Sequence, residues 1–579
     1  MRDKILTSYL QGFSEDFGYQ NADESKLFEL FAAYFVVCHA YTDRFDVENS
    51  IVGDGGDTGI DAIVIIINGR AFNDINELKS YIDGNEKIDV QFIFVQSKIS
   101  HSFDSKDVLS FGAGVMDFFR DESELVCNDS ICRFRDMKDI VYTNARKFYN
   151  GKQPKRIMYY VATGEYVEDK NLVAAKNKAI SDVSRGVGEK NVSFEYVDAK
   201  RLYKMYQEVT RGTAKEIKMG DYIALPESDN VDEALLGMIS CDQYIKLICD
   251  DDGMFNKNIF SDNIRDYLGD STVNKEIAST ITNSSQREYF ILLNNGITAV
   301  AKRVQRVKNK LYIDNIQIVN GCQTSNVLYE NRKLLTSNMY IPIKIISTTN
   351  QDIINSIIIS TNRQNRVEQE AFESLSEFHR KFEIFCPAMN RYAKDNIYYE
   401  RRSRQYVTNE AVKPIEIVTL SNLLYATISM YIEEPHSTHR YYGELLKANK
   451  GKVFIGSHNL EPYYFFAYCL KKITAELRRD YESKKHFVAR YYALMYLWKI
   501  LTKNKKYYLN SREISEKIAK EFLHVVDDRD IFTEICAEGI DMFYTIVKSS
   551  NIPPQNIART KLITDEMLKR IALKLKTPR

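Results

Sequence analysis

The spacing of apolar residues changes character twice along the chain, and this limits the folds that the chain can adopt. Up to about residue 210, helical spacing alternates with short β-branched runs, of which 60–68 and 90–97 are the clearest. Beyond about 218 the pattern is mixed, and from 411 onward nearly every segment has helical spacing. A helical spacing of apolar residues does not suit a strand, and the alternating spacing of a strand does not suit a helix. We therefore predict an α/β domain with a mixed central sheet over 1–212, an α+β core over 218–410 and an all-helical region over 411–579.

The boundaries within the mixed region have to be taken from periodicity alone. The whole chain contains only 10 prolines and 25 glycines, and it shows no proline-rich or glycine-rich linker. Apolar β-branched runs predict strands at 297–304, 311–319 and 341–348. Helical spacing predicts helices at 231–248, 323–335 and 369–385.

The charge balance argues against a protein that coats nucleic acid or an anionic membrane. The 79 Lys and Arg residues equal the 79 Asp and Glu residues in number, so any contact with nucleic acid must use a local basic patch. The longest apolar run, Leu30–Cys38, is far shorter than the ~20 residues of a membrane helix. The first residues, Met1–Lys4, show no apolar leader, and the nine cysteines are scattered. We therefore expect a cytoplasmic protein without a membrane partner.

Polar residues interrupt the apolar runs of the first region at a few positions. Asp61 follows the glycine-rich turn 55–59 at the start of the first β-branched run. Gln96 and Lys98 end the second run on one face, since alternate residues of a strand point the same way. Glu29, on the first predicted helix, lies off its apolar stripe among small neighbours. These four side chains are the predicted catalytic set.

An acid, an amide oxygen and a lysine on neighbouring strands suit the hydrolysis of a phosphodiester. Asp61 and the Gln96 carbonyl would hold Mg²⁺ or Mn²⁺, because these cations prefer oxygen ligands. The metal would lower the pKa of a bound water, while Lys98 would orient that water or neutralise charge in the transition state. Glu29 would add another oxygen. The alternative is structural: Lys98 extends from a strand end into water and Asp61 caps a turn.

This set resembles the restriction-endonuclease-like superfamily with its D…(D/E/Q)-x-K core. The Mrr-type branch is the most similar, since a glycine-rich turn ending in G-I-D precedes V-Q-x-K there. The resemblance covers about 22–120 and implies a nuclease-like domain that cleaves nucleic acid, which we expect to be DNA. In this sequence Gln96 stands where most members have an acid, and the 34 residues between Asp61 and Gln96 require an insertion at 69–89.

Five polar motifs mark the second region: N-I-R at 263–265, N-N-G-I-T at 294–298, N-G-C-Q-T at 320–324, N-R-Q-N at 362–365 and E-R-R at 400–402. In this order they resemble the abortive infection phage resistance family, over about 220–410. The candidate ligand-binding or nucleic-acid-binding residues are Arg265, Asn294, Asn295, Asn320, Gln323, Thr324, Asn362, Arg363, Arg401 and Arg402. Such side chains can grip a phosphate or a base edge. They can equally satisfy turns and helix caps, and the sequence leaves the two open.

The two resemblances together predict a bacterial anti-phage protein with a metal-dependent endonuclease domain. The core and the helical region would act as a sensor for this domain or would restrain it. One alternative is a non-catalytic defence protein that binds DNA or a partner through a degenerate nuclease fold. Another is a sensor that binds or hydrolyses a nucleotide in the amide-rich core. Self-association and a phage-derived trigger stay open as partners.

Overall fold

The computed structural model describes residues 4–41, 44–53, 58–212, 214–219, 221–250, 253–260, 272–307, 310–362, 376–402, 405–407, 409, 411–479, 486–550 and 560–576. Within these ranges the chain forms an α/β region, an α+β region and a helical region in that order, as predicted. None of the helices there is long and apolar enough to cross a bilayer.

The amino-terminal region is a mixed five-stranded sheet in the order β2-β1-β3-β4-β5. Its strands are β1 (Ala62–Ile67), β2 (Arg70–Phe72), β3 (Val90–Lys98), β4 (Lys155–Ala162) and β5 (Val192–Val197). Its helices are α1 (Lys4–Phe17), α2 (Glu24–Ala40), α3 (Ile75–Gly84), α4 (Ser105–Phe118), α5 (Asp129–Thr143), α6 (Lys170–Val183) and α7 (Ala199–Arg211). β1 is antiparallel to β2 and β3, whereas β3, β4 and β5 are parallel.

Helices cover both faces of this sheet, which explains why β1 is an unbroken apolar run. Ala62 and Val64 face a core shared with α1, α2 and α7. Ile63 and Ile65 face the opposite core, shared with α3 to α6. A strand buried on both faces has no solvent side that would require polar residues.

The central region contains two sheets, ordered β12-β9-β13-β8-β7 and β10-β11-β6. The strands are β6 (Ala214–Lys218), β7 (Tyr222–Ala224), β8 (Glu233–Ser240), β9 (Ile297–Ala301), β10 (Arg303–Val307), β11 (Lys310–Asp314), β12 (Gln317–Asn320) and β13 (Tyr340–Ser347). The helices are α8 (Cys241–Ile248), α9 (Thr272–Thr282), α10 (Phe290–Leu293), α11 (Cys322–Glu330) and α12 (Gln351–Asn362). The predicted strands at 297–304 and 311–319 are each two strands, and Asn315, with φ of +50°, turns the chain between β11 and β12.

The helix predicted over 231–248 is wrong in its first half. Residues from Glu233 to Ser240 form β8, antiparallel to β13, and only α8 is helical. Leu235 and Ile239 are buried four residues apart, which resembles a helical spacing. The intervening inward position of the strand is Gly237, where a Cβ would lie 2.5 Å from both Met219 and Tyr222 side-chain atoms. Because glycine leaves that position without an apolar side chain, the two-residue period is hidden in the sequence.

The carboxy-terminal region is helical, with one small exception at its start. Its α-helices are Leu420–Thr427, Tyr442–Ala448, Glu461–Arg479, Arg490–Thr502, Arg512–Lys517, Leu523–Asp527, Arg529–Lys548 and Lys561–Lys576. They surround a core in which Tyr463, Tyr464 and Tyr492 are fully buried. Of the helix predicted at 369–385, residues 369–375 lie outside the described residues, and the observed helix Glu377–Met389 packs into this same core. A short parallel ladder joins strand Tyr398–Glu400 to strand Ile417–Thr419.

A cluster of four charges, of which Glu48, Arg478 and Arg490 are buried and Asp46 is partly exposed, joins the helical region to the amino-terminal sheet. Arg478 and Arg490 contact Asp46, at 3.1 and 3.0 Å, and Arg478 also donates to Glu48. Asp46 and Glu48 belong to the segment that leads from α2 to β1. Burial would raise the pKa of Asp46, but attraction by Arg490 and Arg478 outweighs it and holds that pKa below its usual value. The two negative charges are therefore paired with two positive ones.

We expect Arg478→Ala to lower the free energy of unfolding by about 3–5 kcal/mol, because it leaves the buried Glu48 carboxylate without its cation. The measurement is urea unfolding followed by the fluorescence of the single tryptophan, Trp498. Arg512→Ala is the matched control, since the Arg512 side chain is 91% exposed and pairs with Glu516 on the surface. Its cost should stay within about 1 kcal/mol. Equal effects of the two substitutions would contradict a stabilising role for the buried cluster.

A second contact between the two regions contains a carboxylic acid with a raised pKa. Asp74 caps α3 and lies 3.2 Å from Nδ1 of His439. The Arg70 guanidinium lies over the ring of Tyr441, 5.0 Å from its centre. Glu77 lies in the first turn of α3, and burial and the neighbouring Asp74 raise its pKa to about 8 against the opposing effect of Arg70.

The raised pKa of Glu77 predicts that this contact weakens in alkali. The folded state keeps a proton on Glu77 that the unfolded chain releases near pH 4.5, so this contribution to stability is complete below 4.5 and is lost as the pH rises through about 8. Glu77→Gln should therefore gain stability relative to the wild type between about pH 5 and about pH 9, by about 1.4 kcal/mol for each tenfold difference in proton affinity. Thermal unfolding of the wild type and of Glu77→Gln at about pH 5 and about pH 9 measures this gain in stability. The exposed Glu86, changed to Gln, should show no such gain.

Candidate functional site

The pairing of β1 with β3 brings Asp61 to Gln96. Ala62 lies opposite Val95, and the Asp61 amide donates to the Val95 carbonyl at 2.9 Å, which extends the ladder by one residue. Asp61 therefore lies at the position opposite Gln96, as the sequence predicted for neighbouring strands. Of the turn 55–59, residues 55–57 lie outside the described residues. Thr58 and Gly59 both have positive φ, at +54° and +76°.

Three donors hold one oxygen of the Asp61 carboxylate. The Ser97 amide, the Ser97 hydroxyl and the Gln96 side-chain amide donate to Oδ2 at 2.6, 2.9 and 3.0 Å. Gln96 is buried, and its carbonyl oxygen lies 3.4 Å from the place of a Cβ on Gly59. The metal-binding role predicted for Gln96 thus requires the opposite amide orientation, a choice that hydrogen bonding decides. Ser97 was not predicted, because strand alternation places it on the face away from Gln96.

A second carboxylate meets Asp61 beside Gly53. A Cβ on Gly53 would lie 2.8 Å from Glu29 Oε1 and 3.4 Å from Asp61 Oδ1, so both oxygens lie close to the same side of this glycine. Glu29 is buried on α2. Its other oxygen, Oε2, accepts a hydrogen bond from Lys26 Nζ at 3.0 Å, and Lys26 also donates to the Gly53 carbonyl. The i,i+3 spacing of Lys26 and Glu29 on one helix is the signal that sequence analysis overlooked.

Lys98 occupies the end of β3, next to Ala162 of β4 in the register. Its side chain is exposed. In the part of the chain that the structure describes, the Lys98 ammonium makes no hydrogen bond or ion pair, whereas Lys26 contacts the buried acid directly. Of the four predicted catalytic residues, the structure thus brings Asp61, Gln96 and Glu29 together and places Lys98 at the strand end, toward solvent.

The oxygen pair of Glu29 and Asp61 fits a hard divalent cation. Two carboxylate oxygens from different elements lie beside the same glycine, and Mg²⁺ and Mn²⁺ prefer such ligands. Across the described ranges, no three His, Cys, Asp or Glu side chains form a cluster that could hold a metal. Gln96, backbone oxygens or water would therefore have to complete the coordination.

Two of the amide-rich motifs, N-N-G-I-T and N-G-C-Q-T, meet at one end of the larger sheet. Asn294 accepts from the Gly296 amide at 3.0 Å and donates to the Thr324 hydroxyl at 3.3 Å. Asn320 donates to the carbonyl of Thr361 at 2.6 Å, near the end of α12. These contacts give Asn294, Asn320 and Thr324 hydrogen-bond partners within the protein. Asn295 is exposed and Gln323 half-buried, so these two amides are open to a ligand.

Of the remaining candidates, the structure describes Arg401 and Arg402, and Arg401 lies apart from this cluster. Arg401 is buried and contacts Glu383 and, at 3.5 Å, Asp352 in the first turn of α12. Since α12 ends at Asn362, about ten residues on, Arg401 lies roughly 15 Å of helix away from the amide cluster. Arg402 is half-buried beside Arg401. Arg265 and Arg363 lie outside the described residues, as does the side chain of Asn362.

A polar cleft of about 590 Å³ opens elsewhere in the central region. Its lining residues are Asp232, Glu233, Lys302, Arg303, Val304, Arg306, Ser347 and Thr349. Arg306 pairs with Glu233 at 2.7 Å. Lys302 and Arg303 give the cleft a positive wall that suits an anion. None of the described motif residues lines it, and its signal in the sequence is instead the basic cluster of Lys302, Arg303 and Arg306.

The glycine of N-G-C-Q-T is required by the backbone. Gly321 has φ of +101° between β12 and α11, and a Cβ there would lie 3.3 Å from the Gly296 carbonyl. We expect Gly321→Ala to cost about 1–3 kcal/mol of stability, as strained backbone does. Urea unfolding measures it, with Gly456→Ala as control, because nothing lies within 4 Å of a Cβ on Gly456. A cost no larger than that of the control would show that the motif does not need glycine for its conformation.

The comparison with known proteins concerns mainly the second half of the chain. A family model described as AIPR protein matches residues 260–571, which is more than half of the sequence. No curated protein and no solved structure matches the chain. The match includes the N-N-G-I-T and N-G-C-Q-T motifs and the helical region around the tyrosine-rich core. The chain therefore belongs to the AIPR, or abortive infection phage resistance, family, and its role is anti-phage defence by abortive infection.

Proposed function

We propose that this AIPR protein is a metal-dependent phosphodiesterase, an endonuclease that cleaves DNA during anti-phage defence. The observation that carries the proposal is the meeting of the Glu29 and Asp61 carboxylates beside Gly53. Two acids of different elements that meet beside one glycine are unusual in a structural core, where buried carboxylates are costly. They suit a cation-dependent reaction.

In this proposal each residue of the candidate site has a separate role. Glu29 and Asp61 would hold the cation, and Gln96 would add its carbonyl oxygen after its amide turns. Ser97 keeps the Asp61 carboxylate in position, and Lys26 does the same for Glu29. Bound Mg²⁺ or Mn²⁺ would supply positive charge for the scissile phosphate and for an attacking water. Lys98, exposed at the end of β3, would approach the phosphate of a bound substrate and offset its charge.

The polar cleft around Lys302 and Arg303 supports a second candidate function, the binding of an anionic signal such as a nucleotide by the central region. In this alternative the central region senses a phage-derived trigger. The exposed Asn295 and half-buried Gln323 would contribute only if the signal reaches the amide cluster. A protein that only binds DNA through the amino-terminal sheet is the non-catalytic alternative.

Purified full-length protein should cleave DNA in the presence of Mg²⁺ or Mn²⁺ and lose this activity in excess chelator. Asp61→Asn and Lys98→Ala should each lower the cleavage rate at least about 100-fold, because each removes charge that acts on the metal or the phosphate. Lys87→Ala, at an exposed lysine of the same region, is the matched control and should cleave normally. A gel assay on DNA and RNA substrates measures the rates, and thermal unfolding confirms that the variants are folded.

Different outcomes separate the alternatives. Full activity in chelator, or in Asp61→Asn, would contradict the proposed site. DNA binding without cleavage in any of the cations would favour the non-catalytic alternative. Phosphate release from nucleotides that persists in Asp61→Asn would favour a nucleotide-hydrolysing sensor in the central region.

A further inference from the structure

Two cysteine thiols touch at the start of α5. Cys127 Sγ lies 2.9 Å from Cys132 Sγ. Asn128, which follows Cys127, caps the helix by accepting from the Ile131 amide at 3.0 Å. The residue before a helix cap and the fourth helical residue contact each other across such a turn, so the local sequence alone places the two thiols together. All nine cysteines are reduced in the described chain, and Cys132 is the exposed one among them.

The turn that carries the two thiols is hydrogen-bonded to the segment that borders the candidate site. The Asn128 side chain donates to the Val52 carbonyl at 2.7 Å. Val52 in turn donates its amide to the Asp61 carbonyl at 2.8 Å, and the next residue is Gly53, which borders both carboxylates. One residue past Cys132, Arg133 donates to the Asn49 carbonyl at 3.1 Å. The first turn of α5 thus supports the segment 49–53 at two points.

We propose that Cys127 and Cys132 are a thiol-modification site, at which a low-molecular-weight disulfide such as oxidised glutathione converts the two thiols into an intramolecular disulfide. One protein thiolate, first Cys132 because it is exposed, attacks a sulfur of the reagent and expels one thiolate. The Cys127 thiolate then attacks the Cys132 sulfur of this mixed disulfide and expels the second. Two protein thiols are oxidised, one reagent disulfide is reduced to two thiols, and the two protons lost by the cysteines balance the reaction.

The pKa of the Cys132 thiol sets the conditions for this exchange, and the disulfide that results restrains the cap turn. Burial and the hydrogen bond to Cys127 raise the pKa of the Cys132 thiol to about 11, so the reactive thiolate is scarce at neutral pH and the exchange accelerates in alkali. The disulfide, once formed, closes the cap turn covalently and restricts the opening that would release Asn128 from Val52. The disulfide itself needs no nuclease activity.

The test uses full-length protein treated with oxidised glutathione, then alkylated and digested with trypsin. Both cysteines fall in one tryptic peptide, 121–133, because the preceding basic residue is Arg120 and the next is Arg133. We expect this peptide to escape alkylation and to be lighter than the reduced peptide by two hydrogen atoms. Treatment with a reductant before alkylation should restore a doubly alkylated peptide. Cys322→Ser, at a half-buried cysteine elsewhere, should leave this result unchanged, whereas Cys132→Ser should abolish the internal disulfide.

The readouts can each overturn the proposal. Two alkylated cysteines after oxidant treatment, or a stable glutathione adduct without the internal disulfide, would refute the modification site. Hydrogen exchange of the amides in 49–53 should slow in the oxidised protein and not in treated Cys132→Ser. Unchanged exchange in a protein whose peptide 121–133 is fully oxidised would refute the link to the candidate site. Both readouts are independent of DNA cleavage, so their failure differs from failure of the proposed function.

Discussion

The antiparallel pairing of β1 with β3 is the constraint on which the candidate site depends. The register puts Ala62 opposite Val95, and the Asp61 amide continues the ladder to the Val95 carbonyl. A shift of one residue would turn every side chain of β1 to the other face and carry Asp61 away from Gln96. The smaller Ala62 and Val64 face one core and larger isoleucines face the other, so such a shift would overfill one close-packed core and leave gaps in the other. The apolar core therefore secures the polar site at its edge.

The segment between α2 and β1 connects this site with the helical region. Near its start, Asp46 and Glu48 are paired with Arg478 and Arg490 of the helical core. At its end, Gly53 lies against Glu29 and accepts from Lys26. Arg478 and Arg490 lie inside the part that the family model matches, whereas the acid pair lies before it. The segment 46–53 therefore joins the helical core to the two carboxylates through direct contacts at both of its ends.

Parts of the candidate site could be predicted because they depend on local pattern. Asp61 precedes one apolar run and Gln96 lies at the end of another, and strands formed by such runs pair in a sheet. The roles of Lys26 and Ser97 could not be predicted in the same way. Ser97 reaches Asp61 with its backbone amide as well as its hydroxyl, so side-chain alternation does not describe the contact. The strand β8 was missed because Gly237 leaves a gap in its apolar face that only the packing of Met219 and Tyr222 explains.

By itself, the sequence determined the order of the three regions, the neighbouring strands that carry Asp61 and Gln96, and the family motifs around Asn294 and Asn320. These follow from periodicity and from short-range spacing, which any fold of the chain must respect. Only the tertiary structure decided that Glu29 meets Asp61 beside Gly53, and that Arg401 lies apart from the amide cluster. The same is true of the pairing of Arg478 with Glu48, some 430 positions apart in the chain. Contacts between distant segments depend on how whole elements pack, and no local pattern records which partner a buried charge will find.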